Sequence, residues 1–143
     1  RQHLDLPKGF FALPRRTTKT LQPTLQTLKN VAFESMVVCW LMQDGWEVYA
    51  PMLDHGHKTD LLISDGPHFH RLQVKTFNST GENQRIQNCW KGSDIDYVIL
   101  FARNGDWGII TPAFESTSRS IQHETHRKFK KTKRDFLRQF HQI

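Results

Sequence analysis

Three short segments place a polar group where packing alone would want an apolar one. Glu34 falls on the same helical stripe as Val31, Val38 and Leu41, the face expected to be buried. A carboxylate turned inward is costly unless it is paired or holds a metal. Asp60 opens the apolar run Asp60-Leu61-Leu62-Ile63. Gln73 and Lys75 alternate with Leu72 and Val74, so a period of two sets the polar pair on one strand face and the apolar pair on the other. If Leu72 and Val74 enter the core, Gln73 and Lys75 point together toward the hairpin mouth where Asp60 lies. Each has an ordinary explanation alone: a structural salt bridge for Glu34, a cap or a solvent contact for Asp60, a solvated strand face for Gln73 and Lys75. Together they supply an anion-tolerant cation site, a positioned water and a sink for transition-state charge, which are the needs of phosphodiester hydrolysis.

The elements that must position these groups are legible from periodicity and punctuation. From about Thr24 to Asp44, apolar residues at Leu28, Val31, Val38, Leu41 and Met42 recur at helical spacing, with Pro23 near the start and Gly45 past the end. Trp46–Pro51 reads as a short strand. Asp60–Ser64 and His68–Thr76 form a hairpin about Asp65-Gly66, and Ile95–Ala102 and Trp107–Thr111 form another about Asn104-Gly105. The polar stretch Asn78–Ser93 reads as a mobile loop. Pro112–Ser120 leads to a last helix, about Ile121–His141, whose apolar stripe is Ile121, Phe129, Phe136 and Phe140. The order is an α/β (α+β) chain, a central mixed sheet flanked by helices.

Charge is distributed unevenly over the 143 residues, whose net charge is +6. Residues 1–20 carry five basic side chains against one acidic. Residues 117–143 carry eight against two, and residues 21–116 carry seven against eleven. The expected organisation is therefore a basic N-terminal arm (1–20), a core (21–116) and a basic C-terminal helix (117–143). Basic arms about an acidic centre suit a polyanion-binding metal enzyme, since the arms release counterions while the centre holds divalent cations; simple solubility is the plainer alternative. With 37% hydrophobic residues the chain is globular rather than disordered. No run of about 18 apolar residues is present, so a membrane-spanning helix is not expected. No secretory signal is visible, and Cys39 and Cys89 are expected to be free thiols of a reducing, cytoplasmic setting.

The order Glu34 on a helix, Asp60 on a strand and Gln73-x-Lys75 on the next, with successive offsets of 26 and 13 positions, resembles the core of the PD-(D/E)XK nucleases. Gln73 stands where the usual acid precedes x-Lys, and Thr59 stands where Pro precedes Asp. The Gln variant is most similar to the homing endonucleases of cyanobacterial-type group I introns. Gly45-Trp46-Glu47-Val48-Tyr49-Ala50-Pro51, Thr59-Asp60-Leu61-Leu62-Ile63, Gln73-Val74-Lys75-Thr76 and Ser93-Asp94-Ile95-Asp96-Tyr97-Val98 all fit that group. The resemblance implies a restriction-endonuclease-like fold and a site-specific endonuclease acting on double-stranded DNA. It implies Mg²⁺, with Mn²⁺ able to substitute, bound by Asp60, the Gln73 side-chain oxygen and the Val74 carbonyl. Glu34 would hold a metal-bound water or a second cation, and Lys75 would orient the attacking water. Cutting both strands calls for a homo-oligomer, a dimer or tetramer. A junction resolvase, repair or restriction nuclease of the same fold, or a DNA-binding domain without catalysis, are the alternatives.

Further DNA contacts are expected from Arg15 and Arg16 in the N-terminal arm, His57 and Lys58 before Asp60, Arg85 and Lys91 in the polar stretch, and Lys128 and Lys131 near the C-terminus. The pairs His55-x-His57 and His68-x-His70 admit zinc in principle, but roles across the sheet or on phosphate suit them better. The C-terminal stripe is compatible with docking on the sheet, a subunit contact or a membrane surface, of which the first accords with the catalytic set.

Overall fold

The computed structural model describes residues 14–53 and 56–143. The elements are α1 (Gln22–Gln43), β1 (Glu47–Tyr49), β2 (Leu61–Ser64), β3 (Phe69–Phe77), β4 (Arg85–Gln87), β5 (Tyr97–Ala102), β6 (Trp107–Pro112), β7 (Ser118–Ser120), β8 (Arg127–Lys130) and α2 (Lys133–Phe140). Six strands form one mixed sheet in the order β1-β2-β3-β5-β6-β8, and β4 pairs with β7 in a separate ribbon. β3 and β5 run parallel, and every other pairing in the large sheet is antiparallel.

Both faces of the sheet are covered. On one, Leu61, Ile63, Leu72, Ile99, Phe101 and Phe129 pack with Val37 and Leu41 of α1 and Phe136 and Phe140 of α2. On the other, Val98, Leu100 and Ile109 pack with Ile86, Trp90, Ile95 and Phe114. Strands buried on both sides carry nearly continuous apolar runs, as β5 (Tyr97-Val98-Ile99-Leu100-Phe101-Ala102) does.

Three expectations are corrected. Only the C-terminal half of α1 lies on the sheet. From Leu21 to Ala32 every residue but Leu25 is exposed, and Leu28, Val31 and Met42 are more than half exposed. The facing stripe is Phe33, Val37, Val38, Trp40 and Leu41, rotated from the expected one because the aromatic rings choose the contact. Phe33 stacks on Phe101 at 4.8 Å between centroids and Trp40 meets Phe136 at 5.1 Å.

The stretch 78–93 is not a free loop. It contains β4, and Ile86 and Trp90 are buried, with the Trp90 indole N–H donating to the Phe114 carbonyl at 3.2 Å. Its two apolar anchors are isolated among polar residues, so no period betrays them.

The long C-terminal helix is also replaced, by β8 and a two-turn α2, and the link before it contains β7. The spacing of eight between Ile121 and Phe129 is even, so it serves a strand as well as about two helical turns. β8 joins the large sheet through β6, so residues 117–143 complete the core rather than append to it. Phe129 lies over Gly108, where an added Cβ would come within 2.4 Å of the ring and of the Leu100 carbonyl oxygen. Thr132 caps α2, accepting the Asp135 N–H at 3.3 Å, while the Asp135 carboxylate accepts the Lys130 N–H at 2.6 Å and the Arg138 guanidinium.

Candidate active site

β3 outruns β2. The ladder between them ends at the Leu61–Leu72 pair, and Asp60 closes it by donating its N–H to the Leu72 carbonyl at 2.9 Å. Beyond that point the Val74 N–H finds the Asp60 carboxylate at 2.7 Å in place of a strand partner. The fork between the two strands thus seats Asp60 directly against the Gln73-Val74-Lys75 segment.

Alternation along β3 behaves as read from the sequence. Leu72 and Val74 join the cluster under α1, so Gln73 and Lys75 project to the opposite face, in register with Val98 and Leu100 of β5. Lys75 is exposed, whereas Gln73 is 1% exposed, which rules out the alternative of a solvated strand face for Gln73. The Gln73 side-chain oxygen is buried and makes no hydrogen bond among the described residues. A buried acceptor in that state costs about 1–3 kcal/mol. A cation that takes neutral oxygen donors relieves that cost, so the donor set at the fork fits a hard divalent metal: a carboxylate, an amide oxygen and backbone carbonyls. Among the described residues no three His, Cys, Asp or Glu side chains converge, so Gln73 is what turns this fork into a possible cation site. Glu34 arrives from α1, which packs on the Leu72–Val74 face. It is half-buried, beside Phe33 and one turn before Val37 and Val38.

The basic residues expected to meet DNA fall into two groups. Arg15, Arg16, His57 and Lys91 are exposed. Lys58 is half-buried with φ of 61°, an unusual backbone conformation for a lysine. Others already serve the fold: Arg85 bonds the Ser118 hydroxyl at 2.8 Å across the β4–β7 ribbon, and the Lys131 ammonium donates to the Gly105 carbonyl at 3.0 Å. Lys128 holds its ammonium 4.3 Å from the Trp107 ring centroid. Of the N-terminal arm, residues 1–13 lie outside the described residues, as does His55. His68 sits exposed before β3, with Nδ1 3.7 Å from the Asp65 carboxylate. His70 is wedged between Trp46 and Tyr97, with centroids at 6.0 and 5.8 Å.

Two residues at the site were missed. Arg71 shares the alternation of Gln73 and Lys75, so the period of two already pointed to it. Asp96 lies within the Ser93–Val98 segment, and its part is structural: it clamps the Arg71 backbone.

No protein-family description matches the chain, and no curated protein sequence does. Solved structures do match. The bacterial homing endonuclease I-Ssp6803I superposes with a TM-score of 0.51 at 18% identity, over 74% of this chain and 75% of that one. The likeness is one of fold: this chain shares with that endonuclease an α+β arrangement, a mixed sheet flanked by helices. A Holliday junction resolvase, Hjc from Archaeoglobus fulgidus, also matches, with a TM-score of 0.43 at 13% identity over 72% of this chain and 89% of that one. Along the chain, α1 with Glu34 precedes β2, at whose start Asp60 stands, and β3 with Gln73 and Lys75 follows.

Proposed function

We propose that this chain is a divalent-cation-dependent endonuclease that cleaves double-stranded DNA at specific sites, as a homing endonuclease does. The observation that carries the reading is the Gln73 oxygen, buried with no hydrogen-bond partner among the described residues, one residue before the Val74 N–H that the Asp60 carboxylate accepts and two before an exposed lysine. Asp60, the Gln73 oxygen and the Val74 carbonyl would hold Mg²⁺ or Mn²⁺, with Glu34 holding a water or a second cation. Such a cation supplies Lewis-acid polarisation of the phosphoryl oxygen and acidifies water. Asp60, fixed through Val74, contributes the full negative charge and a rigid oxygen position. Lys75 reaches from the same strand face to orient the attacking water and to offset charge gathering on the phosphate. Arg15, Arg16, His57, Lys58, Arg85, Lys91, Lys128 and Lys131 supply backbone contacts, those with structural bonds holding register rather than reading bases.

Cleaving both strands takes two such centres, so the working species is a homo-oligomer, a dimer or tetramer. Among the described residues no helix is long and apolar enough to cross a membrane, and a cytoplasmic setting accords with a DNA substrate.

The test is cleavage of long mixed-sequence DNA with Mg²⁺, beside EDTA and the Lys75→Ala variant. Discrete fragments that require Mg²⁺ and vanish in the variant are expected. Uniform nicking would replace the site-specific reading with a repair-type enzyme, and cleavage of branched DNA alone with a resolvase. Binding without cleavage across a whole genome would leave a non-catalytic DNA-binding domain.

A further inference from the structure

The strand face that carries Gln73 and Lys75 begins two residues earlier with Arg71, an exposed cation that the catalytic reading leaves unused. Its backbone is held through both polar groups by Asp96: the Arg71 N–H donates to the Asp96 carboxylate at 2.7 Å, and the Asp96 N–H donates to the Arg71 carbonyl at 2.9 Å. Asp96 therefore spends its carboxylate on the main chain. Among the described residues the guanidinium has no carboxylate partner, and its one hydrogen bond is a long one of 3.4 Å to the Thr59 hydroxyl. Thr59 directly precedes Asp60, so this contact leans the guanidinium toward the fork.

Beside it lies a pocket of about 330 Å³, walled by Tyr49, Pro51 and Leu62 and rimmed by Thr59, His57 and Arg71. Tyr49, Leu62 and Arg71 are register partners across β1, β2 and β3, so the pocket is built on paired strands rather than on loops alone. Apolar walls with one fork of donors at the rim match a deoxyribose and its phosphate: the ring covers the apolar surface and the guanidinium takes two phosphate oxygens. Arg71 stands about 13 Å along the strand from Lys75, a distance of the order of a nucleotide step or two along a DNA backbone.

We propose that Arg71 and this pocket bind a sugar–phosphate unit next to the scissile one, so that one DNA strand runs along the β3 face from Lys75 toward β1. The inference rests on the nuclease reading and adds a substrate subsite to it.

The test measures duplex binding in EDTA as a function of salt for the wild type, Arg71→Ala and Arg71→Lys, with Arg103→Ala as an exposed-charge control. Each phosphate contact adds about 0.9 to the slope of log K against log salt. Arg71→Ala should lower the slope by about that amount and weaken binding about tenfold at low salt. Arg71→Lys should keep the slope but lose part of the affinity, and Arg103→Ala should change neither. At the mapped cut site, a neutral methylphosphonate within two linkages of the cut should weaken the wild type and leave Arg71→Ala unaffected. A wild type that binds with the same slope as Arg71→Ala, or an Arg71→Ala that remains sensitive to the neutral linkage, overturns the subsite and leaves the nuclease reading standing. A wild type that neither binds nor cuts DNA overturns the nuclease reading itself.

Discussion

Replacing Gln73 by Met tests the site through stability rather than through activity. The two side chains are close in volume, so the buried position is refilled without a cavity. What changes is the amide oxygen, which lacks a hydrogen-bond partner among the described residues. Relieving a stranded acceptor is worth about 1–3 kcal/mol. Some of that is returned when the amide N–H groups are lost, so a net gain of about 1 kcal/mol is expected in the absence of divalent ions. For a chain of this size that raises Tm by about 3 °C. With a divalent cation the order reverses. At a Mg²⁺ concentration ten times the dissociation constant, the wild type gains about 1.4 kcal/mol by mass action, and a Met variant without the amide donor gains far less. Thermal melts in EDTA and across a Mg²⁺ series should therefore cross, the variant melting higher without metal and the wild type with it. Equal Mg²⁺ shifts in the two proteins would remove Gln73 from the cation's ligands. A variant less stable than wild type in EDTA would refute the claim that the native amide oxygen carries an unmet cost.

Asp60→Ala should abolish cleavage and retain DNA binding; because the Val74 N–H loses its acceptor, urea unfolding should also show a loss of about 1–2 kcal/mol. Asp60→Asn should recover most of that stability and none of the activity, which separates the fold's use of the carboxylate from the chemistry's. The Asp135 carboxyl is held below the ordinary carboxylate value, chiefly by the Lys130 N–H and also by Arg138. Its contribution is therefore complete above the unfolded value of 3.8 and is lost as pH falls through the lower folded value. Asp135→Asn should flatten the acid limb of a Tm-against-pH curve below about pH 4. Gly108→Ala should cost about 3 kcal/mol or more, or prevent folding, because its new carbon meets both the Leu100 carbonyl oxygen and the Phe129 ring; a soluble variant with wild-type Tm would show that β6 and β8 can separate.

The parts of the fold legible in the sequence are those with one clean period. β2, β3, β5 and β6 fall within a residue or two of their expected places because alternation or an apolar run is bounded by turn residues. The face of α1 was misread by rotation: Phe33 and Trp40 outweigh Val31 and Leu28 through ring contacts that depend on Phe101 and Phe136, residues distant in sequence. β8 was hidden because lysines and arginines around a single Phe129 suit a basic helix as well as a charged strand. At the site, alternation put Gln73 and Lys75 on one face, but it could not tell that one is sealed and the other open. That difference arises from neighbouring strands, not from the motif. The pairing of Asp60 with Val74 joins residues 14 apart and depends on where β2 stops, a boundary that periodicity does not mark.

An open sheet of six strands has two edges, and each is a template on which another chain can add. β1 limits that hazard by being three residues long, and β8 limits it with Arg127, Lys128 and Lys130 exposed about the one buried Phe129. Lys128, proposed above to meet DNA, would thus also help to keep copies of the chain from stacking edge to edge. Removing these charges would expose a strand primed to aggregate, and high salt, by screening them, would push in the same direction.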